Sequence, residues 1–295
     1  MISVYGSEAT KKFLVAGNLS QDLVNENSQK SQSDQFDQGK TIYYLNEEFF
    51  SILLNKCSNL NTIHLEHLDL SAICLSFLFS FQNLNTISLK WCYLGNNWFK
   101  LEQNEYKFSS PSNIRHFYIS RCSSDRITNE EMRNICMQMP NLKTLSIVQT
   151  KSTLNDDLVD LISIYCENLE NLELINTSIT DRGVLSICDS IPLRKNLKHL
   201  NLSMSSSLSN NCLNYIAINL NGLKSLNLTS CFGISNISLL QNLINLDYLN
   251  INNTSLDRNK IRELLLPVLS KCEIEFGHEK MLNRKLMWTI NGSRN

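Results

Sequence analysis

The sequence has little of what a flexible, membrane-spanning or catalytic chain would need. Of 295 residues only four are proline and nine glycine, too few for a long flexible linker within it. No apolar run approaches the roughly 20 residues that span a bilayer. The opening stretch MISVYGSEATKKFLVAGNLSQ has no apolar core behind a basic segment, so no signal peptide and no membrane contact are expected. Neither sign of charge is in excess: 27 basic residues face 28 acidic ones, for a formal net charge of −1. Such a balance gives no global attraction to nucleic acid, and none is expected as a partner. Also missing are a glycine-rich phosphate loop, a GxSxG elbow and an HExxH helix, so the chain is expected not to be an enzyme and to need no cofactor.

What is present is a pattern repeated eight times: an apolar residue, two variable residues, an apolar residue, one variable residue, an apolar residue. Instances begin at Leu60, Leu84, Ile114, Leu142, Leu169, Leu197, Leu223 and Leu246, and by subtraction the spacings are 24, 30, 28, 27, 28, 26 and 23 residues. This is the signature of leucine-rich repeats. The expected fold is α/β, a leucine-rich-repeat solenoid (horseshoe) of about eight or nine repeats with a concave parallel β-sheet and convex helices. Each unit buries its apolar edge against its neighbours, so residues 41–276 should form one elongated domain. Residues 1–40 should be mostly disordered, the polar stretch 25–40 above all, and residues 277–295 should form a C-terminal cap and tail.

Between the strands, apolar residues at three- and four-residue steps predict convex helices within 127–142, 156–169, 179–191 and 208–223. Asn129, Asn155, Asp181 and Asn210 are their expected N-caps. LNEEFFSILLNKC (45–57) reads as the first such helix and TIYYL (41–45) as a short capping strand. The segment 91–113, with Trp98, Phe99, Tyr106 and Phe108, lacks a helical stripe and is read as an irregular bulge on the convex side or rim. A ninth strand is expected in 269–276, with Leu269, Cys272 and Ile274 in the apolar slots. The basic tail after it is read as a capping helix.

Ten cysteines are present, but in register rather than in pairs. Cys92, Cys122 and Cys231 each follow the last apolar strand position by three residues, and Cys57 and Cys166 precede the first by three. Periodic interior thiols behave as small hydrophobes. They are expected to be buried and reduced, which points to a cytoplasmic or nuclear location. No CxxC or clustered Cys/His spacing suggests a metal, and none is expected.

The phrases ITDRGVLSICDSI, LSNNCLNYIAINLNGLKSLNLTSC and MPNLKTLSI resemble the cysteine-containing repeats of F-box/LRR proteins and of their F-box-less relatives, the antagonist-of-mitotic-exit type. Thr180, Asp181, Gly183, Val184 and Ile187 match the start of that pattern. Cys166, Asn168, Leu169, Leu172 and Leu174 match one end of it, and Leu226, Leu228 and Cys231 another. The resemblance covers about residues 45–276. Threonine replaces the strand-end cysteine at Thr150, Thr177 and Thr254. No convincing F-box precedes the array: with Cys57 laid on Cys166, residues 45–54 fall on a repeat helix. The resemblance implies a non-enzymatic interaction module, serving substrate or regulator recognition in a ubiquitin-ligase or cell-cycle pathway. A structural or cytoskeletal scaffold subunit is the alternative, and a regulator of a GTPase the third reading.

Side chains alternate along a strand, so residues between the apolar slots should face the concave surface. On the first three strands these and their flanks are His64, Glu66, His67, Lys90, Trp91, His116, Tyr118 and Arg121. Aromatic residues and arginine are the types that dominate interface energetics, whereas later strands carry mainly Ser, Thr and Asn. The expected site is therefore a protein-binding surface formed by those eight residues, with the chain a monomer or a subunit of a hetero-complex. His64 and His67 could approach each other with Glu66 between them, but no third metal ligand is evident.

Overall fold

In a computed structural model of the chain the described residues are 2–5, 14–15, 43–44, 59–71, 73–95, 98–99, 112–122, 128–148, 155–236, 238–277 and 279–282. They fall into two compact units: Met1–Leu142 with Gln149–Ser152, and Lys143–Val148 with Thr153–Asn295. The expected disorder of 25–40, the first helix at 45–57 with Cys57, and the aromatics Tyr106 and Phe108 lie outside the described residues.

In the first unit, strands β1 (Ile2–Tyr5) and β2 (Leu14–Val15) precede β3 (Tyr43–Tyr44), β4 (Thr62–Glu66), β5 (Leu68–Asp69), β6 (Thr86–Lys90) and β7 (His116–Ser120). β1, β4, β6 and β7 are neighbours in one parallel sheet, with β2 antiparallel on β1, and β3 pairs separately with β5. The register sets Ile63 beside Ile87 and Phe117, and Leu65 beside Leu89 and Ile119. All six are buried. The apolar slots of successive repeats thus stack into continuous rows, which no single repeat could shield from water.

The second unit repeats this plan with β8 (Thr144–Val148), β9 (Asn171–Ile175), β10 (His199–Asn201), β11 (Ser225–Asn227), β12 (Tyr248–Asn250) and β13 (Glu273–Phe276). Each pairs in parallel with the next. The eight strands predicted from the repeat therefore appear where expected, and within each unit those strands are parallel. This is an α/β leucine-rich-repeat fold.

Helix α1 (Asn129–Gln138) precedes β8 in the chain, and α2 (Asp156–Tyr165), α3 (Asp181–Asp189), the short α4 (Ile191–Asn196) and α5 (Asn210–Asn219) lie between later strands. α4 went unpredicted: it follows the predicted helix as a second one, with Pro192 at its first turn, where a missing N–H is harmless and φ is already helical. The connections at Leu75–Ser80 and Ser238–Asn242 tighten to 3-10 turns.

Three of the four expected caps are corrected by one residue. The capping oxygens belong to Thr128, Thr180 and Ser209, and Asn129, Asp181 and Asn210 are the first helical residues; Asn155 caps as expected. The first residues of three helices, Asp156, Asp181 and Asn210, have another task. Asp156 accepts from the N–H and hydroxyl of Thr180, Asp181 accepts from the same two groups of Ser209, and Asn210 accepts from the N–H groups of Ser235 and Asn236. These three helix starts thereby fix the start of the next repeat's connection.

The strand-end cysteines also do more than fill space. The Cys92 thiol donates to the Leu65 carbonyl at 3.3 Å and the Cys231 thiol to that of Leu202 at 3.2 Å, each reaching back one repeat. Where threonine takes the slot, its hydroxyl donates within its own repeat: Thr177 to Leu174 at 3.3 Å and Thr254 to Ile251 at 2.8 Å. Cys92, Cys122, Cys166 and Cys231 are buried and in no disulfide.

Three further expectations are corrected. Trp98 and Phe99 are 1% exposed, and Phe99 meets Trp98 and Phe79 edge-on, so these two aromatics of the 91–113 segment belong to the core and not to a surface. The ninth strand is displaced by two residues: Ile274, not Cys272, pairs beside Leu249, and Phe276 fills the next apolar slot. The tail then begins with a strand, β14 (Glu279–Leu282), antiparallel to β13, where a helix was expected. A turn at Gly277, whose φ of +64° suits a residue without Cβ, separates the two.

Candidate interaction surface

The parallel register of the first unit sorts the candidate side chains into rows. Thr62, Thr86 and His116 open the strands; His64, Ser88 and Tyr118 form the middle row; Glu66, Lys90 and Ser120 close it. The next residue in each repeat is His67, Trp91 or Arg121. All three have left-handed backbone, with φ of 57°, 54° and 53°. There the chain leaves the strand while keeping one more sheet bond: the His67 N–H donates to the Lys90 carbonyl at 3.0 Å and the Trp91 N–H to that of Ser120 at 2.9 Å.

Because the three residues share one backbone conformation in adjacent repeats, their side chains project in parallel. The His67 and Trp91 rings stack with centroids 5.9 Å apart and planes 7° from parallel. The Arg121 guanidinium lies over the same indole, its Cζ 4.8 Å from the ring centroid, within reach of the ring's quadrupole. Beside this ladder Lys90 Nζ is 2.9 Å from Glu66 Oε1, and His67 Nε2 is 3.7 Å from the same oxygen. His64, half-buried in the middle row, has its pKa pulled below the ordinary 6.5 mainly by burial, against the opposing pull of Glu66. It therefore favours the neutral ring, a donor and an acceptor at once.

Five of the eight predicted residues, Glu66, His67, Lys90, Trp91 and Arg121, thus meet at the strands' C-terminal ends. His64 and Tyr118 lie on the row beneath, and His116 is set apart at the strand start. Among the described residues no group of three or more His, Cys, Asp or Glu side chains is placed to hold a metal ion.

The second unit uses the same slots differently. Its left-handed positions hold Asn176, Met204, Ser230 and Asn253. The asparagines that looked like surface residues are structural. The side-chain oxygens of Asn201, Asn227 and Asn250 accept from the N–H groups of Ser203, Thr229 and Asn252, two residues on, at 3.0–3.1 Å. Those N–H groups are thereby withdrawn from the sheet ladder. Asn250 is only 9% exposed; it accepts from the Thr229 hydroxyl and donates to Glu275 and Tyr248, and the Tyr248 hydroxyl donates to Glu275. Sequence reasoning put Glu275 on this face but in the wrong row, because the ninth strand was set two residues out of register and so did not place it beside Asn250.

No family model matches the chain. A 151-residue part of it, 50% of the chain, is 29% identical to "BTB/POZ domain-containing protein FBL11" of Arabidopsis thaliana, of which it spans 15%. Similar solved structures include internalin C2 of Listeria monocytogenes (TM-score 0.47, 20% identity, covering 70% of this chain and 80% of that one) and the internalin InlF of the same organism (0.42, 18%, 75% and 76%). The assignment to the leucine-rich-repeat class rests on the strand register and the stacked apolar rows of the chain itself.

Proposed function

We propose that the chain is a non-enzymatic protein-interaction module, binding a protein partner on the open sheet face of its first unit. The observation that carries this reading is the His67–Trp91–Arg121 ladder. It gathers two aromatic rings and a guanidinium, the side chains that most often anchor interfaces, at slots filled by Asn, Met and Ser in the second unit. The finer reading is recognition of a substrate or regulator in a ubiquitin-linked or cell-cycle pathway, in a cytoplasmic or nuclear setting. It is supported by the resemblance of the repeats and by the buried thiols, which are in no disulfide.

The test is affinity purification with full-length bait in three forms. The wild type and Met204→Ala, altered at an equivalent left-handed slot 46% exposed in the second unit, should retain the same partner, and Trp91→Ala should lose it. Adaptor or cullin subunits among the retained proteins support the ubiquitin-linked branch, cytoskeletal subunits a scaffold, and a GTPase a regulator. Equal recovery with Trp91→Ala removes the site from this face.

A further inference from the structure

We infer that the ladder seats an acidic protein segment, taking a carboxylate side chain on the outer edge of the Arg121 guanidinium and an adjacent apolar side chain along the outer edge of the Trp91 ring, whose two faces are taken by His67 and Arg121. This rests on the reading of the first unit's sheet face as the interaction surface, and adds the chemistry of the partner. The charges on that face decide it. Lys90 is held by Glu66, so its charge is already matched. Arg121 is exposed and forms no ion pair among the described residues. Its face is spent on the indole, which leaves the N–H edge, the part that matches a carboxylate with two parallel hydrogen bonds. Stacking restrains the guanidinium before the partner arrives, so less rotamer freedom is lost on binding.

Backbone conformation alone does not single out this face, since Met204 and Ser230 of the second unit are left-handed as well. What sets the first unit apart is that its three successive slots carry His, Trp and Arg, of which Trp and Arg are side chains that anchor interfaces. A nucleic acid fits less well, since tracking a phosphate backbone takes several unmatched cations and the ladder supplies one. The Glu66 carboxylate beside Lys90 also disfavours a dianionic phosphate over a single carboxylate.

A library of random 12-residue peptides displayed on phage is panned against the full-length protein. The strongest binders are then measured against wild type, Arg121→Ala, Arg121→Lys, Trp91→Ala and Met204→Ala, with the melting temperature of each variant recorded to exclude unfolding. The expected peptides carry Asp or Glu one or two residues from an aromatic or aliphatic residue. Arg121→Ala should weaken them by about 10- to 100-fold, as should replacing the peptide's acid by its amide. Arg121→Lys should recover only part of the loss, because an ammonium lacks the planar fork, and Met204→Ala should change nothing. Peptides without an acid that still depend on Trp91 or Tyr118 overturn the acidic partner and leave the face standing. Peptides indifferent to every first-unit substitution overturn both. Failure to enrich any peptide, tighter binding of the phosphoserine analogue than of the acid, or Arg121-dependent binding of a single-stranded oligonucleotide each overturns the acidic-segment assignment.

Discussion

At the residue scale, one position in each repeat carries most of what distinguishes this chain. At seven described positions the residue two past the last apolar slot turns left-handed, and the fold accepts His, Trp, Arg, Asn, Met or Ser there. Arg121 is exposed, and among the described residues its side chain lends the fold a cation–π contact, worth about 0.5–1 kcal/mol at the surface. Asn relieves a left-handed strain of similar size. Arg121→Asn should therefore leave the urea midpoint unchanged or slightly raised while removing partner binding; a loss of more than about 1 kcal/mol would show that Arg121 is a structural residue. Leu172, buried in the second unit, is the opposite case. Leu172→Asp places an unpaired charge where no polar group can answer it, and loss of the cooperative unfolding transition in a thermal melt is expected.

At the scale of elements, the helix starts act as staples between repeats. Asp181 holds both the N–H and the hydroxyl of Ser209, so Asp181→Ala should cost about 1–2 kcal/mol in urea unfolding, the size of a lost helix cap. An unchanged midpoint would leave the ladder of acids without energetic weight. Gly233→Ala should be worse, since a Cβ there would stand 2.2 Å from the Leu208 carbonyl oxygen and backbone would have to move; wild-type expression and melting would refute that close approach. The strands were legible because three apolar slots recur in each repeat, and Ile63, Leu145 and Leu226 all lie where that pattern puts them. The helix caps were legible only to within one residue, because Asp181 and Asn210 are good capping types whose side chains point instead to the following repeat. The ninth strand slipped because Cys272 is buried without occupying a strand slot. The surface was legible as a set of residues but not as a stack. Nothing in the letters His67, Trp91 and Arg121 announces a left-handed backbone, which only Asn176 and Asn253 hint at. Asn250 was misleading for the same reason, being polar in type and nearly buried in place.

At the scale of the whole molecule, the periodic cysteines make stability depend on pH in a way that no single repeat reveals. Burial pushes the thiols of Cys188 and Cys272 up to about 12 and that of Cys231 to about 11, from an ordinary 9.0, and raises Cys122 and Cys212 as well. A thiol buried neutral keeps its proton in the folded chain and loses it in the unfolded chain once pH exceeds about 9. Above that point the unfolded state binds fewer protons, so stability falls as pH rises. Below it both states are protonated and these groups contribute their full share. Under reducing conditions the melting temperature should thus be insensitive to these thiols between pH 7 and 8.5 and decline from about pH 9 toward 11. Lysine and tyrosine titrate in the same range, so the decisive comparison is a variant carrying Cys188→Ala and Cys231→Ala. It should start from a lower melting temperature, having lost packing and the Cys231 bond to Leu202, but descend less steeply with pH. Parallel curves for the two proteins would mean that these thiols ionise as readily in the folded chain as in the unfolded one, and that the repeat interior is open to hydroxide.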